Sequence, residues 1–283
     1  MDIIFRKLQG AGNDFIVMKY EDFPDEELFS KLATEVCHRH FGIGADGLMI
    51  VKGSEKADFF MYYYNSDGSR AHMCGNGIRC FAKYVYDAGM IKEKFFRIET
   101  LAGIKEVEMG DENNREQLVR VNMDKMIFEP KDIPVICDQN KCINQQLIVD
   151  GETLNYSTVL MGVPHTVIFL DELKEEHIKK IGPVIEKHNQ FPDNTNVNFA
   201  KIINRSKIEV KTWERGAGYT LACGTGVTSV CGVAYELGYV NNSVEVITDG
   251  GRLTINIEEN KDIYMEGSAK VICEGIYYSN LAK

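Results

Sequence analysis

The chain carries a second copy of its own pattern. His72-Met73-Cys74-Gly75-Asn76-Gly77 is echoed by Leu221-Ala222-Cys223-Gly224-Thr225-Gly226, and the two cysteines lie 149 residues apart. Each Cys-Gly-x-Gly leads into a run with helical patterning, and each run stops at a glycine, Gly89 or Gly238, again 149 apart. Upstream at the same offset, Tyr64-Asn65 falls on Trp213-Glu214, and Gly47–Val51 falls on Asn196–Ala200. After a shift of one residue, Gly12–Val17 falls on Gly162–Val167. A duplicated chain of 283 residues reads as two similar halves, each the size of one domain. The best-matched segments are glycine-rich loops rather than core patterns, so the repeat preserves more than packing.

Within the halves, residues 3–8, 14–19, 47–51 and 58–64 run apolar or alternate as strands do, and so do 158–170 and 207–213. Residues 25–39 have helical spacing after Pro24, a plausible start, and 172–188 read as a helix disturbed at Gly182-Pro183. The segments 76–88 and 225–237 are apolar on most sides with few charges, which marks a buried helix in each half. Closing strands are expected over 97–109 and 244–257, with a tight polar turn at 110–117 and the junction of the halves near 115–150. The expected fold is α/β (α+β), with two pseudo-symmetric domains, each a mostly antiparallel curved sheet wrapped around a central buried helix. Residues 1–125 form the first, 126–270 the second, and 271–283 return to the N-terminal domain.

Composition removes several function classes. The formal net charge is −10 with no offsetting basic cluster, which argues against nucleic acid and acidic membrane surfaces as partners. No apolar run reaches about 18 residues, and the N-terminus lacks a signal-peptide pattern, so a cytoplasmic location is expected. Eight cysteines (37, 74, 80, 137, 142, 223, 231 and 273) are then expected as free thiols. None has Cys-x-x-Cys spacing, no His-x-x-x-His completes a site, and His38 and His40 do not share a helix face, so no metal is expected.

A cysteine just before a helix is chemically placed. The helix N-terminus carries about half a positive charge and several N–H groups outside the helical ladder. It stabilises a thiolate and binds carboxylates through backbone amides, while glycine lets the backbone approach the anion. Two such starts acting on one substrate put its α-carbon between two sulfurs. One thiolate removes the α-hydrogen, the opposite thiol returns a proton to the other face, and the amides hold the enediolate charge. This needs no pyridoxal phosphate or other cofactor. A single Cys-Gly-x-Gly reads more simply as a packed cysteine at a crowded turn; two in register favour the chemistry. Cys80 and Cys231, inside the helices, read as packing residues. Neither loop matches a phosphate-binding Gly-rich motif.

Gly10-Ala11-Gly12-Asn13-Asp14-Phe15, Gly42-Ile43-Gly44-Ala45-Asp46-Gly47, Asn65-Ser66-Asp67-Gly68-Ser69, Met73–Cys80, Asn194–Phe199, Glu214-Arg215-Gly216 and Ala222–Gly226 together resemble, in order and over nearly the whole chain, the motif series of the diaminopimelate epimerases. The paired Cys motifs alone are shared with proline racemase-like enzymes. The resemblance implies epimerisation of LL-2,6-diaminopimelate to the meso form, with Cys74 and Cys223 as acid and base. It implies that backbone amides of Gly75, Asn76, Gly224 and Thr225 hold the reacting carboxylate. It assigns Asn13, Asn65, Asn196, Glu214 and Arg215 to the amino and carboxylate groups of the distal stereocentre. A homodimer is the family's usual state.

Two positions depart from the pattern. Val163 stands where the family has Asn in Gly-Asn-Pro-His, and Tyr219 stands where it often has Glu. They keep two alternatives open: a racemase for another amino acid, such as histidine or lanthionine, and a non-catalytic amino-acid-binding protein. His165 reads as a packed strand residue rather than a base.

Overall fold

The computed structural model describes residues 2–23, 25–113, 116–279 and 281. The chain divides into two compact units, residues 1–121 with 267–283, and residues 122–266.

The first unit runs β1 (Asp2–Gly10), β2 (Asn13–Lys19), α1 (Phe29–Cys37), β3 (Gly47–Gly53), β4 (Phe59–Asn65), α2 (Gly75–Asp87), β5 (Phe95–Thr100), β6 (Gly103–Asn113) and β7 (Glu116–Asn122), in sheet order β1 to β7. The second runs β8 (Gln145–Val149), β9 (Glu152–Met161), β10 (Val163–Phe169), α3 (Glu175–Glu186), β11 (Asn196–Asn204), β12 (Lys207–Glu214), β13 (Gly218–Thr220), α4 (Gly224–Glu236), β14 (Ser243–Thr248) and β15 (Gly251–Ile257). Its order is β8-β9-β10-β11-β12-β14-β15, with β13 on β12. The last strand, β16 (Ile263–Tyr278), pairs antiparallel with β1 from Tyr278 opposite Asp2 to Lys270 opposite Gln9.

The repeat is visible in strand register. β2 lies parallel to β3 with Phe15 opposite Gly47, and β10 lies parallel to β11 with His165 opposite Asn196. The one-residue shift in the alignment therefore falls between these two parallel strands. α2 and α4 each have 13 residues and start 149 apart.

Each unit sorts its apolar residues to two faces of its sheet by strand alternation. In the first, Ile16, Met18, Leu48 and Ile50 pack on Phe29, Leu32 and Val36 of α1. Phe15 and Met49, the intervening positions, meet α2 at Gly77. In the second, Val197 and Phe199 pack on Ile178, Ile181 and Ile185 of α3, while Asn198 meets α4 at Gly226. α2 and α4 are buried almost to their ends, as their patterning predicts. Each fully buried Val or Ile contributes about 1.5–3 kcal/mol. Two of the buried side chains in α2 are cations, Arg79 and Lys83, both at 0% exposure. Lys83 is held by Asp87 at 3.0 Å and Glu112 at 3.2 Å.

Several elements differ in detail from the sequence expectation. The strand expected over 158–170 is two strands, broken where Gly162 takes φ 71°. The closing strands over 97–109 and 244–257 are each a hairpin, turning at Gly103 and Gly251. The helix expected over 25–39 opens as a 3-10 turn at Glu26–Leu28, capped by Asp25 through the Glu27 N–H, and becomes α1 at Phe29. Its expected start, Pro24, lies outside the described residues. α3 continues through Pro183, and Gly182 rests on the Trp213 ring, where a Cβ would come within 2.8 Å of Cγ. In the expected turn at 110–117, β6 continues to Asn113 and β7 starts at Glu116; residues 114 and 115 lie outside the described set. Among the described residues, no helix is long and apolar enough to cross a membrane.

Candidate active site

Cys74 is the N-cap of α2, with extended backbone at φ −136° and ψ 124°. Its sulfur accepts a hydrogen bond from the N–H of Gly77 at 3.4 Å. Cys223 repeats this at α4, with φ −114°, ψ 114° and the Gly226 N–H at 3.4 Å. A capping side chain that accepts from the third helical residue is ordinarily Ser, Thr, Asp or Asn. A sulfur in that place is held in the field of the helix N-terminus, where its ionised form is favoured. Gly75 and Asn76, and likewise Gly224 and Thr225, are the first two residues of their helices, whose N–H groups lie outside the helical ladder. The other thiols inside these helices differ: burial pushes Cys80 up to about 12 and Cys231 higher still, which keeps both neutral.

The second glycine of each motif has a steric reason. A Cβ at Gly226 would lie 2.2 Å from Asn198 Oδ1, and one at Gly77 would lie 2.1 Å from Met49 Cε. Asn198 and Met49 are themselves 149 residues apart, so the same strand position braces the same helix turn in both copies. Their freedom to move differs. Asn198 Oδ1 accepts from Thr212 Oγ1 at 3.2 Å, and its amide nitrogen reaches His165 Nδ1 at 3.1 Å, whereas a methionine methyl can swing away. Gly226→Ala is therefore expected to cost about 1–3 kcal/mol and Gly77→Ala clearly less. Urea unfolding of the two variants checks this; equal costs would remove the argument.

Around Cys74, the Asn13 Oδ1 at the start of β2 lies 3.6 Å from the sulfur. The Asn13 amide nitrogen donates to Asp46, which fixes the orientation of that oxygen. Asp46 belongs to a knot with Asp14, Arg39 and Lys7: Arg39 reaches Asp14 at 3.0 Å and Asp46 at 2.7 Å, and Lys7 reaches Asp14 at 2.8 Å. Its cations hold the Asp14 carboxyl below the usual carboxylate range against the opposing effect of burial. Asn65, at the end of β4, donates to Ser69 Oγ at 3.0 Å. The Asn76 side chain is turned to the Arg79 guanidinium, 3.0 Å away, so only its backbone faces the role expected for it.

Around Cys223, Thr225 Oγ1 is 3.4 Å from the sulfur. Glu214, at the end of β12, hydrogen-bonds the Cys223 thiol and accepts from Thr220 Oγ1 at 2.6 Å. Burial holds the Glu214 carboxyl above the ordinary range, partly offset by those two donors. Asn196 Oδ1 accepts from the Arg215 backbone N–H at 3.0 Å, and its amide nitrogen donates to the Pro164 carbonyl at 2.9 Å. The Arg215 guanidinium donates to the Asp193 carbonyl at 2.9 Å.

Sequence reasoning missed Glu186. This buried carboxylate at the end of α3 accepts from the Trp213 indole N–H at 2.7 Å and from the Gly216 N–H at 3.1 Å. It thereby clamps the turn that carries Glu214 and Arg215 from both sides. In the sequence it is one more acidic residue on an amphipathic helix, and nothing local marks it.

The sequence profile of the diaminopimelate epimerase family matches residues 5–129 and 157–272. The chain belongs to this family. It is 58% identical over all 283 residues to the diaminopimelate epimerase of Alkaliphilus metalliredigens, covering 100% of both chains. It is 46% identical to the diaminopimelate epimerase of Clostridium perfringens over 275 residues, 96% of this chain and 98% of that one. The fold is also that of a crystal structure of a probable proline racemase from Agrobacterium radiobacter, with TM-score 0.71 at 13% identity, covering 99% of this chain and 93% of that one. Against the diaminopimelate epimerase pattern, Val163 begins β10 and is partly exposed. Tyr219 is built into a polar cluster: its hydroxyl hydrogen-bonds Asp249 and lies 3.2 Å from Lys211 Nζ, with Lys179 over its ring at 5.0 Å.

Proposed function

We propose that this chain is a pyridoxal-phosphate-independent isomerase that interconverts LL- and meso-2,6-diaminopimelate, with Cys74 and Cys223 as the proton-transfer pair. The observation that carries this is the same thiol cap at two helix starts 149 residues apart, each sulfur accepting the N–H of the third helical residue. In this reading one sulfur, as thiolate, takes the α-hydrogen as a proton. The other, as thiol, gives a proton to the opposite face, and the two exchange protonation states in each turnover. Backbone N–H groups of Gly75, Asn76, Gly224 and Thr225 accept the charge that moves onto the carboxylate, the donor arrangement that lowers an enediolate barrier. Asn13, Asn65, Asn196, Glu214 and Arg215 engage the distal amino and carboxylate groups. Arg215 offers a forked donor and Glu214 an acceptor.

The same proposal places a homodimer in the cytoplasm. Light scattering on the purified protein reads the first part directly.

The test of the reaction is solvent exchange. In deuterium oxide with a reductant, LL-diaminopimelate is expected to gain deuterium at one α-carbon and to approach an equilibrium with the meso form. In a panel with histidine and lanthionine, exchange confined to one of those would replace the substrate assignment. No exchange with any of them would end the enzymatic reading.

A further inference from the structure

The two helix starts share a backbone design and differ in electrostatic setting. Position 79 of the first copy is arginine; its counterpart 149 residues on is Thr228. Both side chains bind the carbonyl of the first helical residue, Arg79 Nη1 donating to Gly75 O at 3.0 Å and Thr228 Oγ1 to Gly224 O at 2.8 Å. The Arg79 fork also reaches Asn76 Oδ1 at 3.0 Å and Ser268 O at 3.5 Å. At 0% exposure, this guanidinium is bonded to the carbonyl of the residue that directly follows Cys74. The second copy has a neutral hydroxyl in its place. A charge shielded from water acts strongly on its neighbours, and a cation favours the ionised form of a thiol. Burial weakens Arg79's hold on its own proton, while Cys80 and Cys74 strengthen it, so the attraction is mutual. Cys80 is kept neutral by its burial, which leaves Cys74 as the thiol the cation can ionise.

The remaining charges near Cys74 cancel locally. Lys7 on β1, Asp14 on β2, and Arg39 and Asp46 in the segment after α1 bind one another. On α2 itself Lys83 is paired with Asp87, and with Glu112 on β6, further along the helix from Cys74. The Cys74 thiol donates to Asn13 Oδ1 at 3.6 Å, a long bond to a neutral acceptor, which opposes ionisation less than a carboxylate does. The surroundings of Cys223 lean the other way. Glu214 on β12 hydrogen-bonds its thiol, where the first copy has neutral Asn65. Arg215 is exposed and turned to the Asp193 carbonyl, His165 on β10 is neutral, and α4 has no charged residue before Glu236.

We propose that the two thiols are unequal at rest: Cys74 is the thiolate, held so by Arg79 as a positioning residue, and Cys223 is the thiol, held so by Glu214. This rests on the two-thiol reading and assigns its starting state. The resting enzyme is then competent for the stereoisomer whose α-hydrogen faces Cys74. That sulfur takes the proton, the carbon's electron pair spreads into the carboxylate, Cys223 returns a proton, and Cys223 is left as the thiolate. Solvent exchange restores the resting charge distribution.

Alkylation measures the inequality without turnover. Cys223→Ala and Cys74→Ala each leave one of the two thiols. Iodoacetamide labelling of each, read peptide by peptide by mass spectrometry between about pH 5 and 10, gives the two ionisation midpoints. Cys74 is expected to titrate at least about one pH unit below Cys223 and so to react about tenfold faster per unit of separation at neutral pH. Coincident or reversed midpoints overturn the proposal with Arg79 untouched. With Arg79→Met added, the Cys74 midpoint is expected to rise by about a unit or more, and the Cys223 midpoint to stay. Arg79→Lys, which keeps the charge, is expected to restore most of the low midpoint. If Met and Lys behave alike, Arg79 is only a structural brace and the proposal falls. Failure of solvent exchange would instead remove the two-thiol reading, so the two failures are distinguishable.

Discussion

Replacing either capping cysteine with alanine is expected to lower epimerisation by at least about 10³-fold, since each removes one of two proton-transfer groups. Partial reactions carry more information than the loss. Cys74→Ala keeps Cys223, which can still remove the α-hydrogen of the stereoisomer presented to it, exchange with solvent and return deuterium to the same face. Cys223→Ala keeps Cys74 and is expected to do the same for the other stereoisomer. The variants should therefore label opposite isomers without inverting them, as nuclear magnetic resonance of recovered LL- and meso-diaminopimelate would show. If both variants labelled the same isomer, or either epimerised within about tenfold of the unaltered chain, the pair assignment would be wrong. The helices themselves are expected to survive. The caps are made by sulfur, half-buried at Cys74 and buried at Cys223, and a cap lost to alanine costs about 1 kcal/mol.

The second large effect is on stability. His165 is fully buried on β10, with Nδ1 facing the Asn198 amide nitrogen and Nε2 without a hydrogen-bond partner. Burial, with a smaller push from the Arg215 charge, lowers its pKa from 6.5 to about 3. A neutral ring with Nδ1 as acceptor fits this geometry, and the ring has no role as a base near neutral pH. When the chain unfolds, the imidazole regains its ordinary affinity for protons. Below pH 6.5 the unfolded state therefore binds more protons than the folded one, and stability falls with pH until the folded-state value near 3. From this one group the slope approaches about 1.4 kcal/mol per pH unit, or about 2 kcal/mol between pH 6.5 and 5. His165→Phe removes the titration, and Asn198 keeps its bond to the Thr166 carbonyl at 3.3 Å. Trp213, the chain's single tryptophan, sits in the same unit and reports unfolding by fluorescence. Urea midpoints of the unaltered chain should drop below pH 6.5 relative to those of His165→Phe. Parallel profiles would mean that His165 charges inside the folded protein.

Part of this is written locally. The repeat, the thiol caps, the glycines beside them and the buried character of α2 and α4 are features of short segments, because a helix start and an apolar face depend on neighbours a few residues away. Cys80 and Cys231 could be told from Cys74 and Cys223 for the same reason: helical position separates a packed thiol from a capping one. The strand break at Gly162 is hard to see, since a largely apolar run does not show where backbone with positive φ reverses it; the break before Gly251 carries a turn signal of its own in Asp249-Gly250-Gly251. β8 and β16 alternate buried and more exposed positions, but β8 has only five residues and the buried positions of β16 include Gly267 and Ala269, so neither stands out as an apolar run.

The residues that tune the site became visible only in three dimensions. Glu186 is separated from Trp213 by 27 residues and from Gly216 by 30, and nothing in its helix distinguishes it from a solvated acid. The 149-residue offset pairs Arg79 with Thr228, yet the sequence says neither that the guanidinium is sealed from water nor that the Thr228 hydroxyl binds the equivalent carbonyl. The sequence by itself determined which residues stand at the two helix starts, because capping is a local choice. Tertiary structure alone decided which charges surround each sulfur. Burial and the approach of distant strands set the local dielectric, and with it the ease of ionising either thiol.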